Sequence, residues 1–189
     1  MKKIFILVGH PDKISHSSMF ADMYETAAKA VGHDVRRMDI ADMEFNESVL
    51  GGFRSDQVKE PVLQSFEDNL VWCEHFVIAY PTWWGSLPGK LKGLLDRTLR
   101  PHFAYRFRKF GLWEKLLKGR TARVFTTMGS KPWQFRLLFG NPTNTIDRAM
   151  LRFCGFKTKV TKVGKMAPAT PEKEAYIKAL GTELGTLGK

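Results

Sequence analysis

The sequence predicts an open, doubly wound α/β fold on a five-stranded parallel sheet. Three observations point there. Short β-rich runs alternate with segments whose apolar residues recur at three and four, and parallel neighbours need such helical crossovers. The run Phe76–Tyr80 is apolar without interruption and bounded by Pro81, as expected of a central strand buried on both faces. At about 150 residues per domain, 189 residues with no internal repeat or low-complexity tract read as one domain, 1–189.

Lys2–Val8 is a first strand ending at Gly9. Ser17 or Ser18 caps a helix whose apolar positions are Phe20, Met23, Ala27, Ala30 and Val31, with Gly32 as its stop. His33–Ile40 is a second strand, followed by an irregular polar stretch to about Arg54. Val62, Leu63, Phe66, Leu70 and Val71 define a helix starting near Pro61. After the central strand, Pro88 opens a helix carrying Leu91, Leu94, Leu95 and Thr98. Pro101–Gly119 reads as a long aromatic and basic excursion, and Arg123–Met128 as a fourth strand. A loop from Gly129 to Pro142, a helix over Thr143–Cys154 and a fifth strand at Thr158–Val163 follow. Thr170 caps and Pro171 opens a last helix with Tyr176, Ile177, Leu180 and Leu184 on one face.

Composition narrows the function classes. With 43% hydrophobic residues, 26% charged, 14 Phe and 5 Trp, the chain is not disordered. The longest apolar run, near Val77–Pro81, is too short to span a bilayer. Met1–Val8 lacks the length and cleavage site of a signal peptide, so a cytoplasmic protein is expected. Two cysteines make no disulfide framework, and Cys73 and Cys154 read as buried thiols. The 30 basic and 19 acidic residues leave a net charge of +11, concentrated between Lys90 and Lys165. That is either a solvated face or a field that draws in a phosphorylated cofactor. No recognition helix, zinc spacing or RNP-type sequence accompanies it, so no nucleic-acid partner is expected.

Doubly wound sheets bind ligands outside the carboxyl ends of their strands, which directs attention to three loops. The first, Gly9 to Ser18, leads into a helix N-terminus that suits phosphate, with donors on Ser15, Ser17, Ser18, His10 and His16. An ordinary helix cap is the plainer reading. His10 and His16 lack a third metal ligand, so no metal is expected. The second, Pro81-Thr82-Trp83-Trp84-Gly85-Ser86-Leu87-Pro88, puts two tryptophans directly after a buried strand. Both cannot enter one core, so one is exposed or covers something flat. The third, Thr126-Thr127-Met128-Gly129-Ser130, offers hydroxyls and a glycine that lets backbone approach a ligand. Together they form a phosphate cradle, an aromatic wall and a polar backbone loop, the parts that hold a flavin mononucleotide.

Gly9-His10-Pro11, Ser15-His16-Ser17 and the run Pro81 to Arg97 resemble the NAD(P)H:quinone oxidoreductase family of flavodoxin-like proteins. Phe103-Ala104-Tyr105, Thr126-Thr127-Met128-Gly129 and Phe153-Cys154-Gly155-Phe156 fall in the same order. The resemblance implies strand order 2-1-3-4-5 and a flavin enzyme that takes hydride from NADH or NADPH and passes it to quinones in ping-pong fashion. His10, Ser15, His16 and Ser17 would match the flavin-phosphate positions, Pro81, Thr82, Trp83 and Trp84 the ring-side segment, and Thr127, Met128 and Gly129 the loop at the pyrimidine edge. Phe103, Tyr105 and Phe107 would reach a partner's flavin across a homodimer interface, beside the acceptor. The family's Tyr and His after the fourth strand are absent from Met128–Arg136. Ser17 in place of Asn, and no adenine-binding extension, favour FMN over FAD. The alternative that the resemblance leaves open is a regulatory subunit of a membrane transport system with little turnover.

Overall fold

Strand β1 (Lys3–Val8) has no exposed residue after Lys3, because helices cover both of its faces. The computed structural model that places it describes residues 1–52 and 57–187. Ile4, Ile6 and Val8 point to one face and Phe5 and Leu7 to the other, as the two-residue period of a strand requires. Strand β3 (His75–Pro81) is buried throughout. Together with β2 (Asp34–Asp39), β6 (Thr121–Thr127) and β7 (Lys157–Val163) these strands pair in parallel in the order β2-β1-β3-β6-β7. That is the expected 2-1-3-4-5 order among the strands of the main sheet. Two further strands, β4 (Tyr105–Phe107) and β5 (Trp113–Lys115), pair antiparallel as a separate hairpin inside the excursion. Three residues each are too few for a periodicity to register.

Helices α1 (His16–Ala30) and α5 (Pro171–Leu187) cover one face, and α2 (Pro61–Trp72) and α3 (Gly89–Thr98) the other. On the first face Phe20 stacks flat on Phe125 at 3.9 Å between ring centroids. On the second, Phe5, Phe66 and Phe76 pack together. Close approach of α1 and α5 depends on Gly181 and Gly185, where a Cβ would sit 2.7 Å from the Phe20 carbonyl and against that of Tyr24, respectively. Cys73 and Cys154 are buried, and burial raises both thiols to about 12.

Several expectations shift. Ser15, not Ser17 or Ser18, is the N-cap of α1; its Oγ accepts from the Ser18 N–H at 3.2 Å. Ala30 and Val31 are exposed, because the buried stripe of Phe20, Tyr24 and Ala27 rotates away before Gly32. Val71 and Tyr176 also face solvent. The expected loop from Gly129 to Pro142 contains helix α4 (Pro132–Phe139), opened by Pro132 and closed by Gly140 at φ 80°. The helix expected over Thr143–Cys154 is π-helical across Thr145–Arg152. Arg54, where the irregular stretch was expected to end, lies outside the described residues.

His75, 1% exposed at the start of β3, is held neutral. Burial first, then the charges of Lys2, Arg123 and His33, push its pKa down to about 3. Unfolded, it takes a proton near pH 6.5; folded, it does not until far lower pH. The stability it contributes is therefore complete above pH 6.5 and is lost as pH falls toward 3, at up to ~1.4 kcal/mol per pH unit. The urea midpoint is expected to drop between pH 7 and pH 5, and His75→Gln should flatten that slope. An unaltered slope in the variant would assign the effect to other groups.

Candidate functional site

Strands β1, β3 and β6 end along one edge: Val8 lies opposite Ala79, and Pro81 opposite Thr127. The first loop leaves this edge with the Gly9 N–H donating to the Ala79 carbonyl at 2.7 Å. A Cβ at Gly9 would meet Leu91 Cδ2 at 2.6 Å and Tyr80 Cβ at 3.1 Å, so a larger residue there would displace the Leu91 side chain of α3. Beyond it the loop folds on itself. The Asp12 N–H donates to His10 Nδ1 at 2.9 Å and the Ile14 N–H to Asp12 Oδ1 at 2.9 Å. The same Nδ1 lies 3.1 Å from the Asp12 carbonyl, so the tautomer decides whether this nitrogen accepts from the Asp12 N–H or donates to that carbonyl. Burial lowers the His10 pKa, against the opposing pull of Asp12.

The turn into α1 brings Ser15, His16 and Ser17 to a cavity of about 310 Å³, which His10, Pro81 and Thr127 also line. Ser15 Oγ caps the helix and lies 2.9 Å from Ser18 Oγ. Ser17 is fully buried, and its hydroxyl has no hydrogen-bond partner among the described residues. An unpaired buried hydroxyl costs about 1–3 kcal/mol. A helix N-terminus with a free hydroxyl donor has the chemistry to take an anionic acceptor.

The second loop is pinned at its base and tight at its tip. Thr82 Oγ1 lies 2.9 Å from Thr126 Oγ1, and the Thr82 N–H donates to the Thr127 carbonyl at 2.8 Å. Trp83 and Ser86 exchange both backbone bonds across Trp84 and Gly85, whose φ values of 48° and 77° make a left-handed two-residue turn. That turn throws both tryptophans outward; Trp84 is fully exposed, and Trp83 stands edge-on to His10 at 5.7 Å. In the third loop, Met128 is buried, its N–H donating to Val163 and its carbonyl accepting from Met166. Gly129 is exposed, with open space where a Cβ would be.

Thus His10, Ser15, His16, Ser17, Pro81 and Thr127 meet in one cavity, while Thr82, Trp83, Trp84, Met128 and Gly129 stand around it without lining it. Phe103, Tyr105 and Phe107 lie elsewhere. Phe103 packs on the core beneath the hairpin, and Tyr105 contacts Phe107 and Phe153 at 5.3 and 5.0 Å. Tyr105 opens onto a separate recess of about 170 Å³. Ile14, Met19, Ala169 and Glu174 also line the first cavity and were not singled out from the sequence. Ala169 and Glu174 arrive from the far end of the chain because α5 docks on α1. Among the described residues no three His, Cys, Asp or Glu side chains cluster as metal ligands, and no helix is long and apolar enough to cross a membrane.

A family model described as "Flavodoxin-like fold" matches residues 2–184. The chain is 27% identical over 160 residues to an uncharacterized NAD(P)H oxidoreductase of Haemophilus influenzae, covering 80% of this chain and 78% of that one. Among solved structures, an NAD(P)H:quinone oxidoreductase from Methanothermobacter marburgensis superposes with a TM-score of 0.81 at 17% identity, covering 98% of each chain. An FMN-dependent NADH-azoreductase from Bacillus anthracis, in complex with FMN, gives 0.72 at 18%, covering 98% of this chain and 100% of its own. At these identities the superpositions speak to fold.

Proposed function

The chain belongs to the flavodoxin-like fold family, and from that premise we propose that it is a flavin-dependent NAD(P)H oxidoreductase that holds FMN and reduces quinones or related flat acceptors. The observation that carries this reading is the partnerless buried hydroxyl of Ser17 in a cavity where three sheet-edge loops meet. The residues fit the group. Ser15, His16 and Ser17, with the first amides of α1, bind its phosphate, and the helix dipole favours that charge. His10 presents its imidazole to the same cavity. Pro81 and Thr82 present the end of β3 to the ring system, and Trp83, edge-on to His10 at the rim, supplies apolar surface beside it. Thr127 and the open backbone of Gly129 serve the polar edge of the ring. Met128 serves only by holding that backbone, since its own N–H is engaged with Val163.

FMN held by these residues would supply the redox chemistry between NADH or NADPH and the acceptor. The chain's own work is to bind, orient and shield; no side chain needs to act as a nucleophile. Purified protein is expected to be yellow or to take up FMN on titration, and to oxidise NAD(P)H in the presence of a quinone. A colourless protein that binds no FMN and oxidises no NAD(P)H overturns the reading.

The exposed hairpin supports a homodimer in which Phe103, Tyr105 and Phe107 complete the partner's acceptor site. Phe107, Phe110 and Leu112 present bare apolar surface there. Sedimentation velocity should give a dimer, and Phe107→Ser should weaken it. A fully active monomer would remove these residues from the site.

A further inference from the structure

Strands β3, β6 and β7 start along the edge of the sheet opposite the first cavity, and their register sets His75, Thr121 and Lys157 in one row. A second cavity, of about 290 Å³, opens there. Lys2, Lys157 and Lys159 line it with His75, Thr121 and Thr158, and no Asp or Glu does so among the described residues. His75 is buried, and its ring is held at one end only. Nδ1 lies 2.7 Å from Thr121 Oγ1, while Nε2 is buried with no hydrogen-bond partner among the described residues. Lys2, Arg123 and His33 all disfavour a proton on the ring, so the field at this edge is positive. Glu74, beside His75 in the chain, is engaged elsewhere; its Oε2 accepts from the Lys3 N–H at 3.0 Å. Asp147, which accepts from the Thr158 hydroxyl, pairs with Arg152 at 2.8 Å.

We propose that this cavity is a binding site for a small oxyanion, a carboxylate or a phosphate, held by His75 Nε2 and the ammonium groups of Lys2, Lys157 and Lys159. A buried ring nitrogen without a partner in the chain calls for a ligand or a water. The charges choose between them. Three cations lining one cavity with no carboxylate make a positive focus that water leaves uncompensated and an anion neutralises. Hydrogen bonds from charged donors to an oxyanion are also the strong ones. Thr121 holds Nδ1 as donor or acceptor, and a bound oxyanion selects the form with hydrogen on Nε2. The site is distinct from the one read above as the flavin cavity. Thr121 and Thr127 are the first and last residues of β6, so about 20 Å of strand separates the two. The inference does not rest on flavin.

The test reads the ring itself. Nitrogen-15 NMR follows the side chains of the five histidines, and His75→Gln assigns the signals of interest by removing them. Inorganic phosphate is titrated into the full-length protein at pH 7 and constant ionic strength, with and without saturating FMN. A saturable shift of the His75 ring nitrogens is expected in both. The double variant Lys157→Gln/Lys159→Gln, at two exposed positions, raises the phosphate dissociation constant about tenfold or more, with circular dichroism unchanged. Acetate in place of phosphate separates the sources: saturation at lower concentration assigns a carboxylate, at higher concentration a phosphate. No saturable shift at His75 with either anion overturns the proposal and leaves water at Nε2. So does phosphate that moves only His10 or His16, because it then occupies the first cavity, and so does a double variant that binds as tightly as the parent. A protein that takes up no FMN but reports phosphate at His75 loses the flavin reading and keeps this site.

Discussion

Ser17→Ala is expected to leave the apoprotein at least as stable as the parent while lowering its FMN affinity at least tenfold. The two signs come from one atom. Ser17 Oγ is buried and unpaired in the chain alone, so removing it abolishes a desolvation cost without breaking any bond. With a phosphate in the cavity the same hydroxyl makes a charge-assisted hydrogen bond worth about 1.5–3 kcal/mol, or roughly 10- to 150-fold in affinity. Ser15→Ala behaves differently. Its Oγ already accepts from the Ser18 N–H, so the variant loses a helix cap worth about 0.5–2 kcal/mol as well as the ligand contact. Urea unfolding of the two apoproteins and fluorescence titration with FMN separate the effects. If Ser17→Ala destabilises the apoprotein, its hydroxyl is partnered in solution; if affinity is unchanged, the phosphate lies elsewhere.

The position of the site was legible because it follows from topology. The alternating periods predict a parallel sheet and the family resemblance implies its order, which makes strands 1, 3 and the next sheet strand neighbours; parallel neighbours end at one edge, so Val8, Pro81 and Thr127 come together. What stayed hidden depends on relations no short window contains. Ser17 or Ser18 reads as the cap from the helix pattern, and only the turn geometry selects Ser15 and leaves Ser17 without a partner among the described residues. Glu174 joins the cavity through helix packing far along the chain. Helix α4 escaped for the opposite reason. It buries nothing, so its apolar residues show no inward stripe of the sort that helix patterns report.

Arg97→Ala is expected to cost about 2–3 kcal/mol of stability, the penalty for stranding two carbonyls and a part-exposed carboxylate that the buried guanidinium serves. Arg97 is 2% exposed on α3 and ties both ends of the β2–α2 connection to that helix. Its Nη1 donates to the Asn46 carbonyl at 2.5 Å; its Nη2 donates to the Val58 carbonyl at 2.8 Å and to Glu60 Oε2 at 2.7 Å. Glu60 in turn accepts from the Asn46 N–H at 2.9 Å. Burial alone would raise the Glu60 pKa, but that N–H and the guanidinium outweigh it and hold the carboxyl below its usual value. Alanine would strand two carbonyls and a carboxylate against α3, where Gly93 already lets the chain approach so closely that a Cβ would lie 2.7 Å from the Glu47 carbonyl. Lysine should rescue little, since a single ammonium cannot serve three acceptors spread along a planar fork. No residue of this network lines the 310 Å³ cavity, so FMN affinity measured well below the unfolding midpoint should match the parent's. A loss of less than about 1 kcal/mol in urea would mean that water reaches these carbonyls and that Arg97 fastens nothing.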